Sequence, residues 1–368
     1  MITLQIIDET QRFDSLREEW SALLPTSRAD CVFLTFEWLN TWWKHLGEGR
    51  RLFIVTVRDG SKMIAIAPLA MSRTLGARTL EFLGSGSVGS DYLDFIVDHD
   101  YEDVASAALT EFFSNAGLSL RLHGVKEDSI VASIMTNDLR EQHWRARKVA
   151  LQVSPYIDVR GLSFDAYLAT VGASHRYNFR RRLRNLEKQF SVEIERPRSD
   201  EQRRAALGTL IDLHVARWNK RGGSDGLHEE RLVAFHDEFT QIASGNGWLR
   251  LRVLSLDGRP AAAFYGLRYR TTYSFYQSGF DEAFVQQSVG LVLIGLTIRE
   301  AIAEGVSEYD FLHGDESYKF LWTNSVRPLF RYELYPPTMI GRVHRDSVAA
   351  LAATKKIVKR AIHAPLTR

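Results

Sequence analysis

Cysteine is nearly missing from this chain. Cys31 stands alone among 368 residues, so there is no intramolecular disulfide and no metal site built on paired thiolates. Long apolar runs are missing too. No stretch reaches the roughly 18 uninterrupted apolar residues of a bilayer-spanning helix. The opening MITLQIIDE lacks the basic and long apolar regions of a secretory signal. These absences make the cytoplasm the expected location, peripheral at the inner membrane at most. An excess of one charge is also lacking. The 47 Lys and Arg nearly balance the 45 Asp and Glu, so no global field draws nucleic acid and any basic partner site has to be local. His228-Glu229 lacks the second histidine of H-E-x-x-H, and no G-x-S-x-G elbow occurs, so neither a metal nor a serine nucleophile is expected.

What is present is an ordinary globular balance of 45% hydrophobic and 25% charged residues, enough to bury real cores. At roughly 100–200 residues per domain the length predicts two domains. Apolar periodicity predicts helices over 12–24, 36–46 and 103–116 in the first half. A hairpin turning at Asp59-Gly60 joins strands over 52–58 and 63–69, and another strand is expected over 92–97. The second half repeats this grammar. Helices are expected over 199–220 and 232–245, followed by strands over 248–256, 261–269 and 272–280. A strongly amphipathic helix follows over 290–305, then a short strand over 308–312 and a helix beginning at 317. Meanders followed by a helical crossover imply a mixed α/β sheet. Residues 347–368 read as a basic tail, carrying Lys355, Lys356, Lys359 and Arg360.

Three stretches offer chemistry. Gly84 to Gly89 spells G-x-G-x-x-G, but a strand rather than a helix is expected after it, which leaves a glycine loop and no dinucleotide site. Ser288-Val289-Gly290 opens the amphipathic helix. Ser288 is a fair N-cap and Gly290 lets a ligand approach the backbone, so the free amides there form either a phosphate site or an ordinary capped end. The block YDFLHGDESYK, Tyr309 to Lys319, runs from a buried-looking strand into a polar turn. It crowds His313, Asp315, Glu316, Tyr318 and Lys319 together, as a reactive turn or as a solvated helix start.

The chain resembles the GNAT-superfamily acetyltransferases of the CelD type, associated with cellulose and exopolysaccharide biosynthesis. The resemblance rests on FLTFEWL from Phe33 with Trp42-Trp43, DYLD from Asp91 to Asp94, HVARW from His214 to Trp218, Ser288-Val289-Gly290, and the 309–319 block. The architecture also resembles the two-GNAT arrangement of Fem-type aminoacyl transferases. The resemblance implies two tandem GNAT-like domains: a degenerate one over 1–155, one with the acyl-CoA site over 156–340, and the tail over 341–368. It implies acetyl-CoA or acyl-CoA as co-substrate, its pyrophosphate on Gln287, Ser288, Val289 and Gly290, with Tyr276 and Gln277 on the neighbouring strand. The family pattern Q/R-x-x-G-x-G/A ends here on Val292 instead of Gly or Ala.

In such chemistry an amine attacks the thioester directly. Asp315 or Glu316 is the expected base with His313 second, Tyr318 the acid, and Lys319 an orienting cation. Asp91 and Asp94 either bind the acceptor or cap a turn. Arg181 and Arg182, in a cluster running from Arg176 to Arg184, either bind an anionic acceptor, a cyclic dinucleotide or a membrane, or form a solvated face. Trp218, with Trp38, Trp42 and Trp43, lines a groove or sits in the core. The expected reaction is acyl transfer to an amine of an amino sugar or polysaccharide precursor. The alternatives are a lipid amine, Fem-like aminoacyl transfer, or a non-catalytic protein that senses a nucleotide or binds a polysaccharide synthase.

Overall fold

The structure is a computed structural model describing residues 1–219 and 229–362; for 135–137, 217–219 and 355–362 it describes the backbone alone. The expected mixed α/β architecture is present. A small antiparallel sheet orders Ile2–Ile7, Ile54–Asp59, Lys62–Ala67 and Ile96–Val97. Its central hairpin turns where predicted, with Gly60 at φ +58°, a conformation that favours glycine.

A second sheet runs through both halves. Its order is Val192–Glu195, Leu249–Leu256, Arg259–Tyr269, Thr272–Phe280, Glu308–Asp310, Arg145–Asp158, Val326–Tyr335, Ser119–Val125, Ala77–Phe82, Leu69–Thr74 and Arg51–Leu52. Arg145–Asp158 is the seam. Its beginning pairs with Val326–Tyr335 and its end with Glu308–Asp310. Val326–Tyr335 in turn pairs with Ser119–Val125, so the chain returns from its second half to complete the first. Sequence periodicity did not reveal these two strands. Arg145–Asp158 exposes most of its beginning, and a strand solvated on much of its length carries little apolar alternation.

The pairing that shapes the site is parallel. Thr272–Phe280 and Glu308–Asp310 are joined through the crossover helix Val289–Ala303 and match only from Thr272↔Glu308 to Ser274↔Asp310. Past that point the two chains diverge. The side of Thr272–Phe280 facing Arg259–Tyr269 is also irregular. Tyr265 pairs with Gln277 and Gly266 with Phe275, which leaves Tyr276 as a bulged residue.

The aromatics of the first half are core. Trp38 is fully buried, edge-on to Phe33, Phe235, Phe239 and Tyr276, so it stitches helix Phe36–Leu46 to Glu230–Gly245 of the second half. Trp42 is buried as well, and Trp43 packs against the same core. Several expected elements change. The helix over 12–24 splits into Thr10–Asp14 and Arg17–Leu23, where the Ser15 hydroxyl donates to the Arg12 carbonyl and competes with the ladder. The strand over 92–97 shrinks to Ile96–Val97, because Tyr92 sits at φ +61° and Asp94 gathers backbone amides. The helix expected from 317 is one 3-10 turn, Lys319–Leu321. The basic tail belongs to a helix, Met339–Ile362, anchored by buried His344, whose Nδ1 meets the Ser119 hydroxyl at 3.0 Å. Its residues 349–354 are exposed, and residues 363–368 lie outside the described part.

Candidate active site

One side of the site is built on the start of helix Val289–Ala303. Ser288 adopts a left-handed conformation (φ +57°, ψ 40°) and makes no side-chain cap. The first ladder bond runs from the Val292 amide to the Ser288 carbonyl at 3.1 Å, so the amides of Val289, Gly290 and Leu291 lie ahead of it. A Cβ on Gly290 would meet only Phe280, at 3.4 Å, so packing does not demand glycine there. Val292 is fully buried in the core below these amides, so its side chain leaves the helix mouth clear. Arg182 braces the preceding loop by donating to the Gln286 carbonyl at 2.6 Å. The Gln287 Oε1 is buried with no partner among the described residues. An apolar cavity of about 140 Å³ leads inward from Gly290 past Ser278, Gly279 and Phe280 to Tyr318 and Trp322. The open amides, the clear mouth and the adjoining apolar channel fit the diphosphate and pantetheine arm of coenzyme A.

Beyond the divergence lies the turn. Leu312 is left-handed (φ +55°) and Gly314 sits at φ +127°. Tyr92, whose hydroxyl reaches Asp310 beside this turn, is left-handed as well (φ +61°), so backbone strain gathers here, as it does at functional sites. Lys319 is only 3% exposed. Its ammonium donates to the His313 carbonyl at 2.7 Å and pairs with Glu316 at 3.0 Å, so it holds the turn from inside. A Cβ on Gly314 would run into Glu316 and lie 2.7 Å from the Lys319 ammonium. Gly314→Ala is therefore expected to cost about 1–3 kcal/mol, read as a lowered urea midpoint. An unchanged midpoint would show that the turn relaxes freely.

The turn is clasped by the first half. The Asp91 carboxylate is buried, accepts the His313 amide at 2.7 Å on one oxygen, and meets His313 Nδ1 at 2.8 Å on the other. This anion raises the His313 pKa above its ordinary value, against the opposing effect of burial. The neighbouring Tyr92 hydroxyl donates to Asp310 at 2.6 Å, and Asp310 also accepts the Leu312 amide at 2.8 Å. Burial first, and Glu308 next, push the Asp310 carboxyl up to about 7. Arg327 stands 3.5 Å from Asp310, pairs with Glu308 at 2.8 Å and packs over the Tyr156 ring. Sequence reasoning missed Asp310, Tyr92 and Arg327, although the first two lie inside the quoted YDFLHG and DYLD blocks. Arg327 had no local signal.

The other expected residues are placed as follows. Asp315 and Glu316 are exposed on the turn, and Tyr318 lines the apolar channel. Asp94 is buried and accepts the amides of Phe95, Ile130 and Val131 at 2.8–2.9 Å, capping helix Ile130–Glu141; burial lifts it to about 6. The Tyr276 hydroxyl donates to the Val88 carbonyl, turned away from the channel, and the Gln277 side chain accepts the Ser278 amide at 2.9 Å. Arg176 donates to the carbonyls of Leu168 and Ala169, Arg180 pairs with Asp165, and Arg181 donates to Asn178. The Trp218 side chain lies outside the described residues.

Residues 173–320 match the family model for the Acetyltransferase (GNAT) domain. No curated protein matches the chain significantly. Among solved structures, FemX is similar over 89% of this chain and 96% of its own, with a TM-score of 0.59 at 12% identity. The C-terminal domain of a putative lysylphosphatidylglycerol synthetase from Agrobacterium fabrum is similar over 94% and 96%, with a TM-score of 0.54 at 10% identity. L-PGS from Bacillus licheniformis covers 93% and 96%, with a TM-score of 0.53 at 12% identity. Residues 173–320 thus match an acetyltransferase (GNAT) domain, which supports a transferase, and nearly the whole chain shares its fold with FemX and the lysylphosphatidylglycerol synthetase domain.

Proposed function

We propose that the chain is an acyl-CoA-dependent N-acyltransferase acting on an amine of an amino sugar or polysaccharide precursor, with residues 156–340 holding the donor and the 1–155 half helping to hold the acceptor. The observation that carries the reading is the Asp91–His313 pair, a first-half carboxylate orienting a second-half imidazole where the parallel strands part. A bound acyl-CoA supplies the activated thioester carbonyl. The amides of Val289, Gly290 and Leu291 receive its diphosphate. His313 accepts the proton of the attacking amine at Nε2, because Nδ1 is tied to Asp91, and it displaces Asp315 and Glu316 as the preferred base. Asp91 stabilises the charge that appears on the ring. Backbone amides beside the Tyr276 bulge supply hydrogen-bond donors for the acyl oxygen. Tyr318, lining the channel, is positioned to return a proton to the leaving sulfur.

Thermal unfolding with acetyl-CoA and longer acyl-CoAs tests the donor assignment. A donor that binds the native state at 100 times its Kd adds about 2.7 kcal/mol and raises the midpoint. The chain length giving the largest shift reports the reach of the channel. No shift with any acyl-CoA would overturn the reading.

A further inference from the structure

His313 and Asp91 open onto a cavity of about 500 Å³ that shares no lining residue with the channel beside Gly290. Its floor is the first-half sheet, where Glu81, Arg121 and His123 point up from neighbouring strands, and its wall is the glycine loop 84–90 with Arg50 beside it. Arg121 meets no carboxylate or carbonyl among the described residues, and its Nε is buried without a partner. Arg50 donates one bond, to the Leu46 carbonyl at 3.0 Å, and its Nε is likewise unmatched, as is the Ser85 hydroxyl. The amides of Gly86 and Ser90, which line the same space, meet no acceptor among the described residues. Buried polar groups are ordinarily matched, and a guanidinium fork most favourably by an oxyanion. Burial and the cations Arg121 and Arg331 hold His123 down at about 4, so it stays neutral at physiological pH. Glu81 is the one carboxylate of the lining not already engaged, since Asp91 holds His313.

We propose that this cavity is the acceptor subsite and that it selects an amine whose molecule also carries a phosphate ester, gripped by Arg121, Arg50, Ser85 and the glycine-loop amides. The proposal rests on His313 being the base and adds the chemical class of what that base serves. Glu81 then takes a hydroxyl or the ammonium of the same ligand. Gly89 lies close enough for its would-be Cβ to stand 3.3 Å from His313 Cε1, so the loop brings the anion grip directly beside the base.

The test is calorimetric titration of pyrophosphate into enzyme saturated with coenzyme A, which occupies the donor helix first. Wild type is expected to bind, and Arg121→Gln and Arg50→Gln to bind at least tenfold more weakly with coenzyme A affinity unchanged. Displacement by glucosamine 6-phosphate identifies a soluble acceptor, and displacement by micellar phosphatidylethanolamine a lipid one. With whichever of the two displaces, Arg121→Gln is expected to raise KM at least tenfold and leave kcat within about threefold. No binding to the saturated wild type, or equal binding by both variants, overturns the proposal. His313→Ala separates the two readings. If it retains turnover while pyrophosphate binding still depends on Arg121, the base assignment fails and the anion subsite stands.

Discussion

His313→Ala is expected to lower kcat by about 10²–10⁴-fold, the usual contribution of a positioned general base, with acyl-CoA affinity unchanged. The ring is half-exposed, held by Asp91 at 2.8 Å, and contacts none of the donor channel, so its removal leaves the donor helix intact. The pH dependence carries more information than the rate. Asp91 raises the His313 pKa, and a base is active when deprotonated, so kcat/KM climbs as pH rises through that pKa. Asp91→Asn removes the anion, lowers the imidazole pKa and moves the acidic limb to lower pH, while the plateau falls because the ring is a weaker and less fixed base. An acidic limb that stays in place in Asp91→Asn would mean that another group titrates. Alanine at 315 is expected to change turnover little, since that carboxylate is exposed on the turn, whereas alanine at 316 also removes the partner of the buried Lys319 ammonium.

Gly290→Glu is expected to weaken acyl-CoA binding at least 30-fold, about 2 kcal/mol, through like-charge repulsion of the diphosphate. The substitution separates binding from folding. An acid in the first helical turn favours the helix dipole, and a Cβ at this position makes only an ordinary contact with Phe280. The thermal midpoint of the free protein should therefore stay near the wild-type value while the midpoint shift on adding acetyl-CoA disappears. Gly290→Ala, lacking the charge, should lose only a small part of the affinity. A Gly290→Glu enzyme that keeps its donor affinity would place the diphosphate elsewhere.

Much of the second half was legible because its elements are local and strongly patterned. The strand Thr272–Phe280 has the bounds read from the sequence, and the helix Val289–Ala303 lies within two residues of them at each end, although it is buried on most sides rather than amphipathic. The glycine loop 84–89 was likewise readable as a loop. Its location was not. It packs against the second half through the Val88 carbonyl and the Tyr276 hydroxyl and borders His313. Within the turn before Lys319 the residue types were evident, but their surroundings depended on partners. Lys319 read as an orienting cation until burial turned its ammonium onto the carbonyls of its own turn.

By itself the sequence determined the mixed α/β class, the repeated grammar of the two halves, the helix start at 288–290 and the polar turn within 309–319, because each is a short-range pattern of side-chain size, polarity and glycine. Only tertiary structure decided that Asp91 orients His313 across 222 residues, that Val326–Tyr335 closes the first half, and that Arg121 and Arg50 line the same cavity as His313. The physical reason is that strand pairing and domain docking bring together side chains whose separation along the chain carries no periodic trace, and charge and burial then assign each of them its role.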